Sequence, residues 1–457
     1  MKEAGSERTV IRAPQTAQET GVSSNLLEDL IVKILFLQGE MSLHDLTRHS
    51  GLSFAVVHEL FDRLRKEQFV EVKGMVGLAY RTALTDRGRA RALELLSLNQ
   101  YAGVAPVSLQ DYTRRVRAQT VSKADVHPAQ LLEAFSNLVI DSRVLERLGA
   151  AAVSGTSILL YGPAGTGKTS IAEVLPSVYG DAVWIPHAVE VTGQIVTLYD
   201  PGLHERVDEA LPHDSDARWV LCRRPRVMVG GELTIEMLDL HFDPIGKLYS
   251  APVQMKANNG VLIVDDFGRQ LVRPEALLNR WIVPLDRGID FLNLSGGKKF
   301  EIPFDLFVAF ASNLEPAQLG DEAFLRRIPN KIKIDYLGCD QFHEIFRRVC
   351  PKFGLIYDAE VVDHVIDLLT RTYNEPLRSC QPRDLARQIS WKARYQGYSP
   401  TFDLESASEA CRNYYDYAAG ALADISSLQV SGVASGREPG ERRLAVPLSL
   451  TSGNERR

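Results

Sequence analysis

The sequence predicts an α/β protein, a parallel sheet wrapped by helices, with a small helix-rich domain on either side of it along the chain. Three observations predict this. The runs SILLY (157–161), VLIVD (261–265) and LFVAFAS (306–312) are short and apolar, and helical stretches separate them, as in strands covered on both faces. Beyond Leu337 such runs cease, and four helical segments follow near 340–350, 359–373, 382–396 and 403–417. Ahead of the sheet, residues 25–104 combine three helical stretches with one alternating pair of strands.

Residues 1–24 are polar and small and are expected to be a disordered tail, as is the Ser-, Gly-, Arg- and Glu-rich stretch 426–457. Leu27, Leu30, Ile31 and Ile34 then give the i, i+3, i+4, i+7 stripe of an amphipathic helix. Ser42 is placed to cap a second helix over LHDLTRHS, which Gly51 would end. A third runs from Ser53 to about Gln68 with Val57, Leu60 and Leu64 on one face. FVEVKGMVGLAYRTAL alternates around Gly74 and Gly77 as two strands and a turn, and the charged helix DRGRARALELLS closes the unit. In element order and length, residues 25–104 resemble a winged helix-turn-helix domain. Residues 105–135, basic in YTRRVRAQT, read as a linker. The α/β core is expected over 136–337 and a helical lid over 338–425, while the long stretch 181–255 matches no pattern.

Composition narrows the function classes. A chain of 457 residues holds two or three domains, and 45% hydrophobic with 24% charged residues is ordinary for a soluble globular protein. The net charge of −6 supplies no overall basic field for nucleic acid or anionic membrane. Five scattered cysteines without a C-x-x-C argue against a zinc site or disulfide framework and fit a reducing cytosol. No apolar run reaches the ~18 residues of a membrane span, and MKEAGSERTV lacks a signal-peptide core, so a cytoplasmic protein is expected.

The chemistry begins at GPAGTGKT, Gly162 to Thr169, directly after the strand SILLY and at the head of a helical stretch. It matches G-x-x-x-x-G-K-[ST] in the context that motif requires. Gly162, Gly165 and Gly167 permit a backbone whose N–H groups point inward at phosphate oxygens. Pro163, Ala164, Thr166 and Ser170 complete the loop and the first helical turn, whose N-terminus favours an anion. Lys168 is expected on the β- and γ-phosphates of ATP and the Thr169 hydroxyl on Mg²⁺. In GVLIVDDFGR, Val261 to Val264 deliver Asp265 to a strand end, where it would hold the metal's water; Asp266 would orient or deprotonate the attacking water. Asp266-Phe267-Gly268 spells a kinase-like tripeptide, but the chain has no H-R-D loop.

From about Val139 to Tyr417 these motifs and those after them resemble the AAA+ ATPases. FVAFASN puts Asn313 where that family keeps its sensor-1 polar residue. DEAFLRRIPNKIKI puts Arg326 and Arg327 at the arginine finger, and QPRDLARQI puts Arg383 at sensor 2. The residue types suit those roles, because an amide orients water without adding charge and a guanidinium neutralises developing phosphoryl charge. Which of Arg326 and Arg327 serves a neighbour stays open. IPFDLFVAFASN and ANNGVLIVDD are also similar to stretches of MoxR-type members. The resemblance implies a homo-oligomer, by family a hexamer, that remodels a protein partner. One departure stands out: the family usually has Glu where this chain has Asp266, one methylene shorter, so slow hydrolysis is expected.

Two other functions compete. In one, the winged-helix-like domain binds DNA through Arg63, Arg65, Lys66, Lys73 and Arg81, joined by Arg114, Arg115 and Arg117, and nucleotide controls assembly there. Glu59 and Asp62 in the third helix, and a balance of acids and bases across the domain, make this the less favoured reading. In the other, the chain senses ATP as a scaffold with little hydrolysis.

Overall fold

Four helices and a β-ribbon open the fold. In the computed structural model, which describes residues 10–76, 79–320 and 322–415, these are α1 (Ser24–Gln38), β1 (Met41–Ser42), α2 (Leu43–Ser50), α3 (Phe54–Lys66), β2 (Val70–Val76), β3 (Ala79–Leu84) and α4 (Asp86–Leu98). Side chains of Ser23, Ser42, Ser53 and Thr85 accept backbone N–H groups at the starts of the four helices, each cap worth about 1 kcal/mol. Gly51 ends α2 at φ 67°, as its position predicts. The apolar stripes meet in one core of Leu27, Leu30, Ile31, Ile34, Leu60 and Leu64.

The expected tail is partly built into the fold. Ala17 and Thr20 are fully buried, and Ala17 N–H donates to Glu59 Oε2 at 2.9 Å. Arg12 bridges to Ser215, and Asp216 N–H donates to Ile11 O at 2.8 Å. Most of these links use backbone groups, which polar composition does not reveal. Residues 1–9 and the expected tail 426–457 lie outside the described residues.

The segment expected as a linker is also core. It forms β4 (Val107–Ser108), α5 (Leu109–Ala118) and α6 (Pro128–Ala134). Tyr112 and Val116 of α5 are buried with Trp184 and Trp219, because arginines sit between apolar residues that share a helix face. The unassigned stretch 181–255 supplies most of a second sheet.

The chain continues with α7 (Ser142–Ser154), β5 (Ser157–Tyr161), α8 (Lys168–Val174), β6 (Ala182–Pro186), β7 (Ala188–Val191), β8 (Gln194–Thr197), β9 (Trp219–Arg223) and β10 (Arg226–Val229). Next come β11 (His241–Asp243), β12 (Leu248–Ser250), α9 (Val253–Lys256), β13 (Val261–Val264), α10 (Pro274–Arg287), β14 (Ile289–Asn293), β15 (Lys299–Pro303) and β16 (Phe307–Ser312). The core closes with α11 (Pro316–Leu319), α12 (Glu322–Leu325) and β17 (Asn330–Lys333). The main sheet is parallel throughout, in the order β10-β13-β16-β5-β17. Leu159, Leu262, Val264, Val308 and Phe310 face one cluster with Trp281. Ile158, Leu160, Val261, Ile263, Phe307 and Ala309 face another with Ile171 and Leu175. Burial on both faces is the reason these runs are continuously apolar. The second sheet runs β11-β12-β8-β7-β4, with β6–β9 and β14–β15 as separate ribbons.

The described residues form two compact units, one of residues up to 348 together with 376–382, the other of 349–375 together with 383–415. The divide thus falls within α13 (Cys339–Val349) instead of at 337, since Arg348 Nη1 ties that helix to Ser136 O at 2.7 Å. The second unit holds α14 (Ala359–Asp367), a π-turn over 368–372, most of α15 (Gln381–Gln396) and helical residues 404–415. Among its described residues, Val362, Val365, Leu369, Leu385, Ala393 and Cys411 are buried. No helix among the described residues is long and apolar enough to cross a membrane.

Candidate functional site

β5, β13 and β16 are neighbours in the sheet and parallel, so their C-terminal ends bring three separate motifs together, the place where open α/β sheets bind ligands. After β5 the loop 162–167 turns through left-handed backbone at Gly162 (φ 135°), Gly165 (77°) and Gly167 (95°). A Cβ at Gly162 would stand 2.3 Å from Ile334 O, and one at Gly165 2.7 Å from Cys380 Sγ. Glycine is needed at both for space as well as for φ.

Lys168 opens α8 and is only 6% exposed; its Nζ donates to Gly162 O (3.0 Å) and Pro163 O (2.7 Å). Burial lowers its pKa from the usual lysine value, opposed by the carboxylates of Asp265 and Asp266. The ammonium is therefore held inside the loop by carbonyl dipoles and two anions. Thr169 Oγ1 donates to Asp265 Oδ1 at 2.9 Å, joining the loop to the end of β13.

Asp266 follows at φ 48°, a left-handed conformation that Asp tolerates better than most residues, and its carboxylate is exposed. Asn313, just beyond β16, donates from Nδ2 to Asp266 Oδ1 at 3.3 Å. The turn between them is braced. Phe267 N–H bonds Ala311 O (2.8 Å), Ser312 Oγ bonds Phe267 O (2.6 Å), and Gln270 Nε2 bonds Asp265 O (3.0 Å). The Phe267 ring packs on Phe310 in the core, so the kinase-like tripeptide is a structural turn.

Lys168, Thr169, Asp265, Asp266 and Asn313 are thus linked in one place by direct hydrogen bonds or charge. The two arginines are not there. Ser157 Oγ, at the opposite end of β5, donates to Arg327 O at 3.1 Å, which separates the pair from the loop by about 15 Å at ~3.3 Å per strand residue. Arg327 Nε is engaged with Asp286 Oδ2 at 2.8 Å, whereas Arg326 is exposed with no ion pair among the described residues. Arg383 belongs to the second unit, where its half-exposed side chain stands 3.4 Å from Asp384 Oδ1.

Sequence reasoning missed the segment 376–382. Ser379 Oγ (3.0 Å) and Cys380 N–H (3.1 Å) both donate to Gly165 O, so this segment clasps the loop from outside. Gln270 was missed as well. Neither carries a motif, because each acts on backbone carbonyls brought near by the fold. Among the basic residues considered for DNA, Arg63 pairs with Glu59, Lys73 with Glu71, Arg81 with Glu40 and Arg114 with Asp111.

Comparison with known proteins adds little. Residues 339–413 match a family described as a domain of unknown function, DUF8689. No curated protein is similar to the chain in sequence. Solved structures that are similar in part include NtrX from Brucella abortus in complex with ADP, at 12% identity and a TM-score of 0.37, covering 61% of this chain and 56% of that one. The RuvB Holliday junction branch migration motor of Thermotoga maritima is 10% identical at a TM-score of 0.34, covering 62% and 68% respectively. Likeness at this level bears no weight; the site rests on its own residues.

Proposed function

We propose that this chain is an ATPase of the AAA+ type that binds Mg²⁺–ATP on residues 162–170 and hydrolyses it slowly to switch or remodel a protein partner as a ring-forming homo-oligomer. The observation that carries the reading is the 2.9 Å Thr169–Asp265 hydrogen bond beside a buried Lys168, with Asp266 and Asn313 joined next to it. In this reading the glycine-lined N–H groups and Lys168 hold the phosphates. Thr169 and Asp265 fit Mg²⁺, offering a hydroxyl and a carboxylate oxygen and leaving its other positions to water and phosphate. When bound, the ion neutralises charge on the phosphate oxygens.

Asp266 accepts the proton of the attacking water, and Asn313 orients its carboxylate. Arg326, exposed and away from its own chain's loop, is the better suited of the two arginines to reach a neighbour's site. Arg383 would take the sensor-2 role, and Arg327, tied to Asp286, would brace Arg326. The DNA-binding alternative has less support, since half of its eight basic residues face carboxylates and Glu59 of α3 bonds the Ala17 backbone.

Calorimetry with Mg²⁺–ATP tests binding: wild type takes up nucleotide and Lys168→Ala does not. Uptake equal in both proteins rules the site out. Turnover of Asp266→Glu against wild type and Asp266→Asn tests the base. The glutamate should speed hydrolysis and the asparagine stop it while leaving ATP bound. No hydrolysis in any of the three, with ATP still bound, favours a nucleotide-sensing scaffold.

A further inference from the structure

The second unit segregates its charge. Between Leu385 and Phe402 there is no Asp or Glu, whereas Arg387, Lys392 and Arg394 fall among Trp391, Tyr395 and Tyr398. The helix α15 sorts these side chains. Leu385, Ile389 and Ala393 are buried in the unit, and Lys392 is paired with Glu409. Arg387, Trp391, Arg394 and Tyr395, spaced i, i+4, i+7 and i+8, share the outer side. Trp391 is 60% and Tyr395 91% exposed. The Arg387 guanidinium lies 5.6 Å from the Trp391 ring centroid, over one face of the ring, and Arg394 is exposed with no ion pair among the described residues.

This combination selects among partners. An aliphatic partner would need exposed aliphatic surface, but the Leu and Ile of this stretch point into the core. An acidic peptide would satisfy the arginines and leave both rings in water. A single nucleic-acid strand offers both complements, phosphates for guanidinium groups and a π-face on every base for the rings. A duplex keeps those base faces inside its stack. Trp391 and Tyr395 stand one helical turn apart, about 6 Å along the axis, so they can serve successive nucleotides of an unstacked strand.

We infer that this face of α15 binds single-stranded nucleic acid, with one base on the Trp391 face opposite Arg387, the next on Tyr395, and Arg387 and Arg394 against the phosphates. The net charge of −6 makes this a local site and not a field spread over the chain. The site lies outside the residues proposed for ATP and outside the basic residues of the first domain and α5.

Fluorescence anisotropy of labelled oligo-dT and oligo-U with the full chain at low salt tests it. Both strands should bind, and a preference for one names the strand as DNA or RNA; a duplex of the same length should not compete. Trp391→Ala and Tyr395→Ala should each weaken binding roughly 5- to 150-fold at unchanged melting temperature. Trp391→Phe/Tyr395→Phe should keep most of the affinity and Trp391→Leu/Tyr395→Leu should not, because leucine supplies apolar area without a π-face. Arg387→Ala and Arg394→Ala should each lower the salt dependence by about 0.7 in log–log slope. Failure of both strands to bind, equal binding of the duplex, or wild-type affinity in the alanine or leucine variants overturns the inference. So does self-association of wild type that the alanine variants abolish while neither strand binds, since the face then belongs to a second copy. Lys168→Ala keeps the two sites apart: it should bind both strands as wild type does, and loss of the strand there would place it at the nucleotide loop and refute the assignment to α15. Absence of ATP uptake by wild type would refute the ATPase and leave this face standing.

Discussion

Gly165→Ala probes the loop where two independent costs meet. The residue sits at φ 77°, where an L side chain costs ~1–2 kcal/mol. The new methyl would also lie 2.7 Å from Cys380 Sγ, inside any normal contact distance. Relieving such a clash in a packed site costs typically ~1–3 kcal/mol. The sum, about 2–5 kcal/mol, corresponds to ATP binding weaker by roughly 30- to several-thousand-fold if the loop must adopt this shape to hold phosphate. The two costs separate in a second variant. Cys380→Ala removes Sγ, so Gly165→Ala/Cys380→Ala should regain the contact portion, about 5- to 150-fold, and keep the backbone portion. Calorimetric titration with Mg²⁺–ATP measures this, with melting temperatures confirming that each variant is folded. Wild-type affinity in Gly165→Ala would refute the claim that this left-handed loop is the binding conformation. Full recovery, or none, in the double variant would refute the division between clash and backbone.

Two further predictions concern the scaffold. Arg218 and Asp216 are 4% and 2% exposed and paired at 2.8 Å, and Arg218 Nη1 also donates to Thr20 O (3.1 Å) and Pro106 O (3.4 Å). Arg218→Met should cost ~3–5 kcal/mol in urea unfolding by stranding a buried carboxylate, and Asp216→Leu/Arg218→Met should recover most of it; a cost under 1 kcal/mol in the single variant contradicts the burial argument. His204 is buried with Nδ1 accepting Asp200 N–H (2.9 Å), so its proton sits on Nε2, 2.9 Å from Lys256 O. Burial, chiefly, lowers its pKa below 6.5, as it does for His187. The unfolded chain therefore binds the extra protons first. Stability should be full above pH 6.5 and decline as pH falls below it toward the folded value. His204→Gln should flatten that decline in urea midpoints, and an unchanged slope would remove His204 as its source.

Much of this protein is written in local pattern. Gly162, Gly165, Gly167 and Lys168 announce a phosphate loop because backbone conformation and one ammonium are properties of adjacent residues. The runs ending at Tyr161, Asp265 and Ser312 announce buried strands because both faces of a parallel sheet exclude water. Ser42 and Gly51 mark helix ends through bonds that span three or four residues. The second sheet was not legible, since its strands are very short and are assembled through partners distant in sequence, Val107 with Val189 and Tyr249 with Val196. Nor was the place of residues 10–24, which bond largely through backbone groups that every sequence possesses.

At the site, the sequence alone determined which side chains are of the types that phosphate chemistry would need. Only the tertiary structure decided that Thr169 and Asp265, 96 residues apart, share a hydrogen bond, and that Asn313 faces Asp266. It also decided that Ser379 and Cys380 grip Gly165 O from 214 and 215 positions downstream, and that Arg327 is engaged while Arg326 is exposed. The physical reason is common to all of them. Hydrogen bonds and ion pairs act over about 3 Å, and which groups come that close is set by strand order and packing, not by distance along the chain.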